Sequence, residues 1–330
     1  MTLPLILLTN AIDPDVTTRL ASHLDLRIAS ATDEETLRRE SRAASFIVVR
    51  APLPADLFEH APRLRGVVRH GAGLDMIPVD AASRHGVAVA NVPAVNAVSV
   101  AEYAVAQMLT LARHLPRIHA TLKSISWTAA RQLADEATVL QGKTIVIVGM
   151  GAIGQALARI CALGLGMQVL GVRRTPAIDS ECVRYVTLAE ALPQADYLVL
   201  ACPLSESTRG LIGAQELSRI KRGARLINVA RGPVINEAAL VVGLQSGQLA
   251  GAALDVFTTQ PLPAESLLHQ LPNVLLSPHL AGITQESMRS MSEGVASQLL
   301  EMLDGRLPRH FINPEAQELI LKRWSTLSNL

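Results

Sequence analysis

Five short segments hold residue types that can do chemistry. Residues 149–154 read GMGAIG, with glycines at 149, 151 and 154. Residues 171–175 read GVRRT, two arginines side by side at the end of the apolar run MQVLGV. Arg231 stands in INVARGPVINEAAL and His279 in LLSPHLAG, each just past an apolar run. Residues 69–75, RHGAGLD, form a glycine-bearing turn that can point consecutive N–H groups at an anion.

The glycine triplet follows the apolar strand pattern KTIVIVG and precedes the helical pattern AIGQALARICALGL. Each glycine has its own reason. Gly149 permits a tight turn, Gly151 removes a side chain where a pyrophosphate meets the backbone, and Gly154 lets helix and strand pack closely. The helix N-terminus at Ala152 and Ile153 then offers free N–H groups and partial positive charge to phosphates. A second strand must follow, and it ends at Val172. An acid after it would bind both ribose hydroxyls and repel a 2′-phosphate. Arg173 does the opposite, because a guanidinium pairs with a phosphate bidentately. Arg174 and the Thr175 hydroxyl add to that. The expected cofactor is NADP(H), favoured over NAD(H).

The elements that must position these groups are short apolar strands alternating with helices. PLILLT (4–9), DLRIAS (25–30), SFIVVR (45–50), RGVVRH (65–70) and GVAVAN (86–91) read as strands, and PDVTTRLASH, DEETLRRE and PADLFEHA as the helices between them. Such alternation predicts βαβ units and a parallel sheet. A second series starts at Lys143 and continues through MQVLGV, ADYLVLA, ARLINVA, GAALDV and NVLLSP, with NEAALVVGLQSG as one of its helices. The stretch 97–115 is a helix apolar on nearly every face, to be covered by a partner subunit, by another domain or by its own core. Residues 285–303 form a further helix, and the last residues are of mixed character.

Composition narrows the function class. The chain has 330 residues, room for two domains, with 49% hydrophobic residues and only 3% aromatic, so the core is aliphatic. The net charge of +1 gives no sign of a nucleic-acid or membrane surface. Cys161, Cys182 and Cys202 show no CxxC spacing and read as buried thiols of a reducing compartment, with no metal site. The apolar N-terminus has no basic region or cleavage site and reads as a strand. The expectation is a cytoplasmic protein with a small-molecule substrate.

Taken together, HGAGLDMIPVDAASRHGVAVANVPAVNAVSVAEYAV, LQGKTIVIVGMGAIG, CPLSESTRGLIG, RIKRGARLINVARGPVINEAAL, GAALDVF and SPHLAGIT resemble the D-isomer-specific 2-hydroxyacid dehydrogenases over nearly the whole chain. The resemblance implies an α/β fold of two Rossmann-like, doubly wound parallel-sheet domains with the active site in the cleft between them. It implies a discontinuous substrate domain, residues 1–97 and 284–330, around a dinucleotide domain, 98–283, and a homodimer built on the latter. Arg231 matches the arginine that holds the substrate carboxylate and polarises its keto oxygen, and His279 the acid/base. Gly71, Ala72 and Gly73 match the turn whose amides bind the carboxylate. Arg50 and Asn96 line the pocket, with His70 beside the turn. Cys202, Pro203, Val229, Ala230, Asp255 and Gly282 match cofactor-contacting positions. His114 and His119 are structural or surface residues.

One position departs from the family. The glutamate that usually pairs with the histidine is Gln260 in LDVFTTQPLP. Its amide oxygen can orient the imidazole without adding charge to the imidazolium. Glu265, nearby, is an alternative source of the missing charge, but its place at an expected helix start favours complementing the helix dipole. The resemblance implies reduction of a small 2-keto acid of the glyoxylate or hydroxypyruvate type. The alternatives are a 3-phosphoglycerate dehydrogenase-like activity, with Arg50 and Arg69 meeting a phosphate, and a non-catalytic dinucleotide sensor of the co-repressor kind.

Overall fold

The computed structural model describes residues 3–175 and 177–328, so the outermost residues of the expected first domain (1, 2, 329 and 330) lie outside the described residues. The chain forms two compact units, Met1–Asn96 with Ile283–Leu330, and Ala97–Gly282.

The first unit starts as the alternation predicts: β1 (Leu5–Leu8), α1 (Pro14–Ala21), β2 (Asp25–Ile28), α2 (Glu34–Ser41), β3 (Phe46–Val49), α3 (Leu57–His60), β4 (Gly66–Arg69), α4 (Val79–Arg84) and β5 (Ala88–Ala90). The strands pair in parallel in the order β2-β1-β3-β4-β5. β3 is fully buried, which is why its run of four apolar residues does not alternate. Asp13 and Asp33 cap α1 and α2 by accepting from first-turn amides.

The second unit opens with α5 (Ala97–Arg113), α6 (Leu115–Ser124) and α7 (Trp127–Gln132). It continues as β6 (Thr144–Val148), α8 (Ala152–Arg159), β7 (Gln168–Val172), β8 (Arg184–Tyr185), α9 (Leu188–Ala191), β9 (Tyr197–Leu200), α10 (Ala214–Arg219), β10 (Ala224–Asn228), α11 (Glu237–Gln245), β11 (Leu249–Leu254) and β12 (Val274–Leu276). Its seven parallel strands run β12-β11-β10-β9-β6-β7-β8. The order reverses between β6 and β9, the place where doubly wound sheets open a crevice at their carboxyl ends. α5 buries Val100, Ala101, Ala104, Met108 and Leu111 in the core shared with α8. Its other face leaves Val98 59% exposed. α6 buries none of its residues, although Leu122 and the following Ile125 and Trp127 are apolar and exposed.

The chain returns to the first unit in α12 (Gln285–Leu303) and α13 (Gln317–Ser328). The mixed character expected of the last residues is therefore corrected: they form a helix. Ile320 and Trp324, one turn apart, are buried in the core of the first unit, and the Trp324 indole N–H donates to the Arg65 carbonyl at 2.8 Å. Ahead of them Asn313, fully buried, adds to the bridge that Phe311 makes with Ala90 of β5: its side chain accepts from Val89 N and donates to Val87 O. The thiols need one adjustment as well. Cys161 and Cys202 are buried and Cys182 only half-buried, all unpaired.

Candidate active site

The glycine turn follows β6 directly, and the three glycines are needed for different reasons. Gly149 has φ +101°, and a Cβ there would lie 2.5 Å from Cys202 N, so the turn is pressed against the chain leaving β9. At Gly154 a Cβ would lie 2.2 Å from Gly149 O, which no side chain survives. At Gly151 a Cβ would meet nothing within 4 Å. That glycine is not required for packing, so its bareness is available to a ligand. It is also the N-cap of α8, with no side chain capping the helix. The first-turn amides, from Ala152 through Gly154, are therefore presented rather than consumed. This cradle fits a dinucleotide pyrophosphate.

The arginine loop lies beside it. Gly149 N donates to Val172 O at 2.9 Å, and Arg173 is the next residue. Arg173, Arg174 and Thr175 are all exposed. Among the described residues, neither arginine has a carboxylate partner in the chain.

Arg231 and His279 follow the ends of β10 and β12, with β11 between them. Each is held by a buried polar side chain. Asn228, 1% exposed, accepts from Ala230 N and donates to Arg231 O, both at 3.0 Å. Gly232 completes this turn, since a Cβ there would lie 1.9 Å from the Phe257 carbonyl carbon. Asp255, 2% exposed, does the same for the second turn. Its Oδ1 accepts from Ser277 Oγ at 2.6 Å and Leu280 N at 2.9 Å, and its Oδ2 from Ala281 N at 2.9 Å. Its carbonyl accepts from His279 N at 2.8 Å. The two clamps touch: Asp255 N donates to Asn228 O at 3.1 Å. His279 itself is in the left-handed region at φ +56°. A non-glycine residue held there costs about 1–3 kcal/mol unless its surroundings fix it.

The His279 ring is exposed, and its Nδ1 lies 3.2 Å from Gln260 Oε1. Gln260 Nε2 reaches the Phe257 carbonyl at 3.4 Å, which sets the orientation of the amide. An amide oxygen only accepts, so Nδ1 carries the proton shared with Gln260. Glu265 is not in a first helical turn. Ser266 caps a single 3-10 turn that begins at Leu267, and Glu265 precedes the cap.

Of the other second-unit positions, Cys202 is buried, with its thiol pushed up by desolvation, and Val229 and Ala230 are buried. Pro203 is exposed and Gly282 half-buried.

In the first unit the turn after β4 is tied down through its carbonyls. Gly71 O accepts from Val92 N at 3.0 Å, Ala72 O from Asn91 Nδ2 at 2.8 Å, and Gly73 O from Arg69 Nε at 3.2 Å. The amides of Ala72 and Gly73 have no acceptor in the chain among the described residues. The amide of Gly71 is different: it donates to Arg69 O at 2.9 Å. Of the three amides expected to face an anion, that of Gly71 is therefore already engaged within the turn. Arg69 is corrected too, since its guanidinium also donates to the carbonyls of Val49 and His70 and braces the turn from behind. His70 is 3% exposed with Nε2 on Ser292 Oγ at 2.9 Å. Burial, with the charges of Arg50 and Arg69, pushes its imidazole down to about 3, so it stays neutral beneath the turn. Arg50 is half-buried, hydrogen-bonded to the Ala11 carbonyl and 3.9 Å from Met288 Sδ. Asn96 is half-buried.

Asn228, Asn91, Ser277 and Gly232 were not singled out by sequence. A polar residue inside the apolar run LINVA was the available signal for Asn228.

The comparisons with known proteins fit this geometry. Residues 105–281 match the family description "D-isomer specific 2-hydroxyacid dehydrogenase, NAD binding domain". The chain belongs to that family. As a D-2-hydroxyacid dehydrogenase it is a nicotinamide-dinucleotide oxidoreductase. It is 37% identical over 268 residues to the glyoxylate reductase of Korarchaeum cryptofilum (strain OPF8), covering 80% of each chain. It is 33% identical over 321 residues to glyoxylate/hydroxypyruvate reductase B of Yersinia enterocolitica, covering 94% of this chain and 98% of that protein. Among solved structures, the NADPH-dependent glyoxylate/hydroxypyruvate reductase of Sinorhizobium meliloti, in complex with NADP and malonate, has a TM-score of 0.83 at 31% identity, over 94% of this chain and 97% of that one.

Proposed function

We propose that this dehydrogenase reduces a small 2-keto acid of the glyoxylate or hydroxypyruvate type to the D-2-hydroxy acid, with NADPH preferred to NADH. The observation that carries the cofactor preference is the exposed Arg173–Arg174 pair, directly after β7 and beside the glycine cradle, with no carboxylate partner among the described residues. A cationic loop there attracts a 2′-phosphate where an acid would repel it.

A bound nicotinamide supplies the hydride. The chain supplies charge and a proton. Carboxylate-binding groups are present in each unit: the Arg231 guanidinium in the second, and the Ala72 and Gly73 amides in the first. Arg231 also polarises the keto oxygen, and protonated His279 gives that oxygen the proton from Nε2. Gln260 accepts from Nδ1–H in both protonation states. It holds the ring without favouring the imidazolium, so reduction has its optimum on the acid side.

The phosphohydroxy-acid alternative keeps one supporting observation, the half-buried Arg50 with no carboxylate partner among the described residues, and loses Arg69 to the turn it braces. A sensor without turnover is disfavoured by the complete clamps on Arg231 and His279. The dimer is supported by the apolar residues left exposed on α5 and from α6 to Trp127. Light scattering is expected to give twice the chain mass, and the mass of one chain would overturn the dimer.

NADPH oxidation with a panel of 2-keto acids tests the main reading. Glyoxylate or hydroxypyruvate is expected to give the highest kcat/KM, and Arg173→Ala with Arg174→Ala to raise the KM for NADPH by about ten-fold or more, leaving NADH little changed. Preference for NADH in the unaltered protein would contradict the arginine argument, and no turnover despite NADPH binding would favour the sensor.

Gln260→Glu places a negative charge beside Nδ1. The carboxylate favours the imidazolium, so the falling limb of the pH–rate profile for reduction is expected to move to higher pH. An unmoved limb would contradict the role given to Gln260.

A further inference from the structure

We propose that Tyr103 is a positioning residue for the reaction: through Ser277 and Asp255 it fixes the turn that carries His279. This rests on the reading of His279 as the proton donor.

Tyr103 lies in the middle of α5, more than 150 residues along the chain from His279, and its ring is half-buried. Its hydroxyl is hydrogen-bonded to Ser277 Oγ. The direction of the protons can be assigned. Ser277 Oγ is 2.6 Å from Asp255 Oδ1, and a carboxylate only accepts, so the serine proton goes to Asp255. The serine oxygen must then accept from Tyr103. The chain of donors runs Tyr103 to Ser277 to Asp255.

Its far end grips the turn. The carboxylate oxygens take the amides of Leu280 and Ala281, the two residues after His279. The carbonyl of Asp255 takes the amide of His279. The residue in the left-handed region is therefore bracketed on both sides by one buried aspartate. A serine hydroxyl has three rotamers and could satisfy itself elsewhere. A phenol on a stiff ring, carried by a helix whose other face is locked into the core, selects one of them. The rotation of the Asp255 carboxylate is then set, and with it the two amides.

Tyr103→Phe removes one oxygen and keeps the ring. With NADPH and the best keto acid, kcat is expected to fall on the order of 10- to 100-fold, the cost of a slightly misplaced donor. The KM for the keto acid, NADPH affinity and Tm are expected to stay near their original values. Ser277→Ala should behave alike, and Ser277→Thr, which keeps the hydroxyl, should retain activity. In a His279→Asn background Tyr103→Phe should add no further loss, because the two residues act as one unit. A second readout does not need turnover. With histidine ring nitrogens labelled, the His279 resonance, assigned by its loss in His279→Asn, is expected to shift in Tyr103→Phe.

An unchanged kcat with an unmoved His279 resonance would overturn the proposal. So would an equal loss in both backgrounds, which would make Tyr103 a general support of the fold. If the unaltered protein reduces no keto acid, the functional reading falls and the resonance alone decides the role of Tyr103.

Discussion

The proposed chemistry depends on two polar side chains buried at the carboxyl ends of neighbouring strands. Asn228 and Asp255 are almost fully removed from water and linked by a backbone hydrogen bond. Burying such groups is costly unless every lone pair and proton is used. Here they are used on the backbone of the two turns that present Arg231 and His279. The desolvation cost is offset by hydrogen bonds, and the backbone at Arg231 and His279 gains a fixed position. His279 sits in a backbone conformation that non-glycine residues avoid, which only such an over-determined turn maintains.

Among the described residues, Arg173 and Arg174 have no carboxylate partner in the chain, at a place where an anion is expected. The uncapped start of α8, the Arg173–Arg174 loop and the two spare amides of Ala72 and Gly73 all offer donors that the chain does not consume. Elsewhere the protein is nearly neutral, so these are local features and not the effect of a basic surface. The substitution of Gln260 for an acid works in the same direction, removing a negative charge from beside the imidazole. It keeps a hydrogen bond to the ring, and in the proposed mechanism it changes the electrostatics of proton transfer.

Much of the fold could be read from sequence because both sheets are parallel and buried on both faces, which makes their strands continuous apolar runs such as IVIV and YLVL. α6 and α7 could not, since α6 buries none of its residues and α7 only Ala130, so neither carries an apolar stripe facing its own core. α13 escaped for a related reason, with its contact concentrated in Ile320 and Trp324. The glycine turn, Arg231, His279 and Gln260 stand out in the sequence by residue type, and the structure sets the imidazole of His279 beside the amide of Gln260. The partners that hold them were less legible. Gly71 looked like one more donor of the anion turn, yet its amide is spent on Arg69 O. Arg69 looked like a ligand for a phosphate, yet its guanidinium meets carbonyls. A backbone carbonyl has no signature in a sequence, so side chains that bond to carbonyls look free until the fold is known.

The most direct test is the steady-state kinetics of Asp255→Asn. The amide fits the same volume but offers one accepting oxygen where three chain donors need two. With folding confirmed by Tm and NADPH held at saturation, kcat for keto-acid reduction is expected to fall on the order of 100-fold or more, as loosened positioning of an acid/base group predicts. A kcat equal to that of the unaltered protein would contradict the claim that this buried clamp governs the chemistry.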